Sequence, residues 1–89
     1  MSDYKVSIEV VEIRGDGRCP EGHQVGERFD YPADRGKLCE GAMNSLTPFL
    51  WVLDSGGSYS WFENDGNSYT ACCPDPKRPV VFKMTRRAI

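Results

Sequence analysis

The stretch Cys72-Cys73-Pro74-Asp75-Pro76-Lys77-Arg78-Pro79-Val80-Val81-Phe82 constrains this 89-residue chain more than any other. Each of its prolines fixes one backbone dihedral and removes one N–H donor, so neither a helix nor a central strand can run through it. Before it, Ser68 to Cys73 reads as a strand. After it, Pro79 to Thr85 reads as another, with Val80, Phe82 and Met84 facing inward. The chain must turn between the two, and two thiols stand at the entry to that turn.

Upstream, Tyr4, Val6, Ile8 and Val10 alternate with Lys5, Ser7 and Glu9, which predicts a half-buried strand. The apolar phase shifts at Val10-Val11 and resumes at Ile13, so a bulge is expected there. Arg14-Gly15-Asp16-Gly17 then breaks the strand as a tight turn. Gln24 to Tyr31 reads as a further strand, with Val25, Glu27, Phe29 and Tyr31 on one face. From Leu38 the period changes to that of a helix, through Ala42, Leu46, Phe49, Leu50 and Leu53. The expected helix runs from about Cys39 to Asp54, kinked or briefly interrupted at Thr47 because Pro48 lies inside it. Strands flanking one helix, without a repeated strand–helix–strand pattern, predict an α+β fold. The expectation is a single domain over residues 1–89, a small curved antiparallel sheet packed by one kinked helix.

A core this small gains useful margin from a metal or a crosslink. The composition, 39% hydrophobic and 27% charged, excludes disorder over the whole chain. A net charge of −2 gives no broad attraction to nucleic acid. The basic pairs Lys77-Arg78 and Arg86-Arg87 read as solvated turn and tail charge. No apolar run is long enough for a membrane span. Met1-Ser2-Asp3-Tyr4-Lys5 lacks the basic-then-apolar plan of a signal peptide, so the expected location is cytoplasmic, with reduced thiols.

Four cysteines in such a setting point to ligands or redox chemistry before disulfides. Cys19-Pro20-Glu21-Gly22-His23 can curl so that the sulfur and a ring nitrogen face a common point. Cys19, His23 and Cys39, with one of the Cys72/Cys73 pair, make a four-ligand set. Neighbouring residues in a strand point to opposite faces, so only one of the pair should reach the site, and Cys72 is read as the spare thiol. Three cysteines and one histidine are an established zinc arrangement. The same set also suits an iron–sulfur cluster with three thiolates and an exchangeable or histidine-filled fourth position. The competing reading is that these cysteines are small core hydrophobes. A catalytic role, with Cys19 or Cys73 as nucleophile and His23 as base, needs a cleft for which so short a chain has little room. An enzyme is therefore not the favoured reading. The loop from Gly56 to Phe62 is expected either to complete the core or to present Tyr59, Trp61 and Phe62 to a protein partner.

Together these segments resemble a family of small, largely uncharacterised bacterial and archaeal proteins of about this length. The shared elements are a Cys-Pro-x-Gly-His-x-Val-Gly segment (Cys19 to Gly26) and a Leu-Cys before a helix (Leu38-Cys39). A Gly-Gly-x-x-x-Trp loop (Gly56 to Trp61) and a Cys-Pro-Asp-Pro-x-x-Pro-Val-Val-Phe stretch (Cys73 to Phe82) complete the set. The resemblance spans nearly the whole chain. It implies that Cys19, His23, Cys39 and Cys73 are the ligand candidates and that Cys72 is outside the pattern. It carries no activity. The expectation is thus a small metal-binding protein holding zinc or an iron–sulfur cluster, structural or electron-carrying. The alternative is a metal-free interaction module with core cysteines and an exposed Trp61 loop.

Overall fold

The structure, a computed structural model, describes residues 4–89. Met1, Ser2 and Asp3, on which the leader-free reading of the N-terminus partly rests, lie outside the described residues. Four strands form one antiparallel sheet: β1 (Tyr4–Ile13), β2 (Arg28–Tyr31), β3 (Ser68–Cys72) and β4 (Val80–Ala88). Their order across the sheet is β2-β1-β4-β3. A single α-helix among the described residues, α1 (Glu40–Asp54), follows a short 3-10 turn at Arg35–Lys37. The fold is α+β, as the patterning predicts. No helix among the described residues is long and apolar enough to cross a membrane.

The alternation in β1 buries Val6, Ile8 and Val10. The register then shifts between Val10 and Glu12, which turns Val11 outward and returns Ile13 opposite Val80. This is the expected bulge. In β4, Val80, Phe82 and Met84 are almost fully buried between the two neighbouring strands and the helix. On α1, Ala42, Leu46, Leu50 and Leu53 share one face and are completely buried, the spacing that lays a helical stripe on a sheet.

Two expectations change and one is narrowed. The helix is continuous through Pro48, so of a kink or a brief interruption at Thr47 the interruption does not occur. A proline at that point leaves the carbonyl of Asn44 without its helical donor, but Asn44 and Pro48 are both exposed, so water can serve that carbonyl. Thr47 Oγ1, just before the proline, donates to the Met43 carbonyl. The second strand is shorter than expected, because Gln24 to Glu27 is a turn closed by a hydrogen bond from Glu27 N to Gln24 O at 3.1 Å. Gly26 supplies the left-handed conformation that turn needs, with φ +96°, and Val25 is exposed rather than part of an inner face. Arg86, read as solvated charge, is buried at 8% exposure. Its Nη1 donates to the carbonyls of Leu53 and Gly57, and its Nε donates to Asn67 Oδ1 at 3.1 Å. Its guanidinium also lies 4.9 Å from the centre of the Tyr4 ring. A cation at the last carbonyls of a helix opposes the helix dipole, so Arg86 locks the end of α1 to β4.

The buried stripe and the outer face of α1 should respond very differently to truncation. Leu46→Ala removes a fully buried side chain and should cost about 2–5 kcal/mol, lowering the melting temperature by at least ~8 °C. Trp51→Ala acts on a residue of the same helix that is 65% exposed and should stay within about 0.5 kcal/mol. Thermal unfolding of the two variants checks the assignment of the face.

Candidate metal centre

The buried residue that organises this end of the molecule is His23. It lies in the loop between β1 and β2, with its ring edge-on to Phe29 at 5.7 Å and to Phe82 at 5.9 Å. A buried imidazole needs partners for both nitrogens. Nε2 accepts from the backbone N–H of Cys39 at 3.2 Å. Nδ1 lies 3.1 Å from Glu27 Oε1. With Nε2 accepting, the proton belongs on Nδ1, which donates it to the carboxylate. Glu27 is held in turn by the N–H of Gln24 at 2.8 Å. That bond, more than the contact with His23, keeps the Glu27 carboxyl below its ordinary pKa.

The His23–Cys39 bond ties the Cys19 loop to the start of α1. Cys39 is the helix N-cap, and its Sγ accepts from Ala42 N at 3.4 Å. The third thiol arrives from the sheet. Cys73 follows β3 directly; its N–H donates to Val80 O at 3.0 Å, while its Sγ accepts from Val80 N at 3.3 Å. The proline-rich turn beyond it is pinned by Asp75, whose Oδ1 accepts from the backbone N–H groups of Lys77 and Arg78. These two bonds hold the Asp75 carboxyl below its usual range.

Cys19, Cys39 and Cys73 all line one pocket of about 560 Å³, together with Pro20, Glu21, Glu40, Gly41, Pro74, Asp75 and Arg78. Cys72 lies on the other side of the strand, exposed, beside Arg14, Thr70 and Val81. All four cysteines are free thiols. His23 does not line the pocket; both of its nitrogens are engaged behind it. No three His, Cys, Asp or Glu side chains among the described residues stand close enough together to hold one metal ion. Of the four candidate ligands, the three thiols line this one pocket and His23 does not.

Glu27, expected on one face of a strand with Val25, Phe29 and Tyr31, instead serves His23 from the turn before β2. Its position four residues after His23 was the available signal. In the aromatic loop only one of the three rings completes the core. Phe62 is buried and stacks on Tyr69 at 4.9 Å, whereas Tyr59 and Trp61 stack on each other at 4.5 Å and remain 44% and 56% exposed. No family model, no curated protein and no solved structure matches the chain.

The order of causes at Glu27 can be checked by carboxyl NMR titration. Its midpoint should lie below 4.5. Because the folded value is lowered, the stability it contributes is present above the unfolded pKa and lost as pH falls through the folded one. In His23→Ala the midpoint should rise only part of the way, since the Gln24 N–H remains. A full return to the ordinary value would make His23 the dominant partner.

Proposed function

We propose that this chain is a small metal-binding protein whose centre is held by the thiolates of Cys19, Cys39 and Cys73, carrying zinc or an iron–sulfur cluster in a structural or electron-carrying role. The observation that carries this reading is that three thiols, remote from one another in sequence, line one pocket. Two of the three sulfurs accept backbone N–H groups. Donors aimed at sulfur steady the negative charge of a metal-bound thiolate. His23 serves as the positioning group: to become a ligand through Nε2 it would have to release the Cys39 N–H. Glu27 orients it, in the manner of the carboxylate behind a metal-site histidine, here one layer further out.

A metal in this pocket joins a loop, a helix start and a strand end, and binding to the folded state alone stabilises that state by mass action. Protein purified without oxygen should contain stoichiometric metal. Its removal should lower the melting temperature by well over ~10 °C, at about 4–8 °C for each kcal/mol. Cys19→Ser, Cys39→Ser and Cys73→Ser should each lose the metal, while Cys72→Ser should keep it. A protein purified without metal, whose melting temperature does not respond to metal added or withdrawn, would return these cysteines to the role of core residues.

The stacked, exposed Tyr59–Trp61 pair favours a second reading, a metal-free module that presents these rings to a protein partner. That reading takes the lead only if the protein carries no metal and does not respond to it.

A further inference from the structure

We infer that the free edge of β3 pairs in antiparallel fashion with the β3 of a second copy of this chain. The pairing joins two sheets into one across a two-fold axis at Ala71, and it does not depend on a metal. The two edges of the sheet, β2 and β3, are finished differently. At β2, both groups of Asp30 that turn away from β1 are taken by Asp34. The Asp30 N–H donates to Asp34 Oδ2 at 2.9 Å, and its carbonyl accepts from Asp34 N at 2.7 Å. A short, covered edge of this kind resists further pairing.

At β3 the register decides which groups are free. Cys73 N donates to Val80 O and Arg86 N donates to Asn67 O, so Tyr69 and Ala71, in phase with these, bond toward β4. Hydrogen-bonded and non-hydrogen-bonded pairs alternate along an antiparallel ladder. The backbone groups of Ser68, Thr70 and Cys72 therefore turn to the outer edge. Ser68 is already engaged, exchanging N–H and carbonyl with Glu63. Those of Thr70 and Cys72 have no partner among the described residues. Unpaired donors and acceptors on an edge are a template for another strand.

A single symmetric register uses all of these groups. Centred on Ala71, it sets Thr70 opposite Cys72 of the second copy, and Cys72 opposite its Thr70, each pair exchanging N–H and carbonyl. Centring on Cys72 instead sets Thr70 opposite Pro74, which has no N–H. Centring on Thr70 runs Cys72 into Ser68, which Glu63 occupies. The charges at the strand ends agree with this pairing. It lays the start of one β3, with the exposed Glu63 and Asp65, beside the end of the other, with the exposed Lys77. Asp75, the acid at that end, is already spent on the N–H groups of Lys77 and Arg78. The side chains of Thr70 and Cys72 stay on the sheet face of Lys83 and Val81, so the Cys72 thiol remains outside the seam.

The test is sedimentation of the full chain in reductant, from micromolar to millimolar concentration. The parent should approach twice the mass of one chain as concentration rises, and the amides of Thr70 and Cys72 should gain protection from hydrogen exchange in step. Thr70→Pro removes one outward N–H and no bond to β4, so it should lose the dimer and keep the fold in its amide spectrum. Register is read by disulfide trapping with oxidised glutathione, with the parent as control. Thr70→Cys should trap a covalent dimer, because the introduced thiol stands opposite Cys72 of the second copy at about 5.5 Å between Cα atoms. Adding Cys72→Ser should abolish trapping, since like positions are diagonal neighbours about 7–8 Å apart, beyond the reach of a disulfide. A chain that stays monomeric at millimolar concentration overturns the pairing, as does a dimer that survives Thr70→Pro. Equal trapping in the double variant overturns the register.

Discussion

A buried imidazole must find partners for two nitrogens, and the way His23 does so governs the whole end of this molecule. One nitrogen takes the N–H of Cys39, and the other engages Glu27. The first bond fixes where α1 begins relative to the Cys19 loop. The second fixes the turn that shortens β2. Phe29 and Phe82 hold the ring edge-on between two strands. Remove the imidazole, and the loop, the helix start and the sheet lose their common reference point. The three thiols line one pocket because these three elements are joined behind it.

The opposite end is secured by a different device. Arg86 satisfies the last carbonyls of α1 from within the sheet. A helix anchored at its C-terminus by a buried cation, and at its N-terminus by a cysteine cap tied to a buried histidine, has little freedom to shift along β4. That rigidity would serve the proposed metal centre by limiting how far the Cys39 end of the helix can move.

Much of this was legible in the residues. The alternation in β1, its slip at Val11, the helical stripe from Ala42 to Leu53 and the inward Val80, Phe82 and Met84 are periodic signals, and periodicity reports which face is buried. The misreadings arise where tertiary partners override local pattern. Glu27 sat on an apolar face because it serves a histidine, not because it lies in a strand. Of the two outcomes Pro48 allowed, a kink or a break, the break is avoided because the orphaned carbonyl of Asn44 lies on the solvent side. Arg86 looks like tail charge in sequence, and only the fold reveals the carbonyls it meets. At the candidate centre, the residue types were legible and their layering was not. Spacing offers four potential ligands, but it cannot say that a histidine is already committed to two hydrogen bonds.

The central claim is that Cys19, Cys39 and Cys73 share one centre while Cys72 stands apart. Counting reactive thiols tests it whatever the metal, using protein isolated without oxygen and titrated with a chromogenic disulfide under native conditions, before and after chelation. The account predicts that the Cys72 thiol alone reacts before chelation, and that the other three become reactive together once the metal is withdrawn. Immediate reaction of Cys19 and Cys39, or release of the three thiols independently of one another, would contradict it.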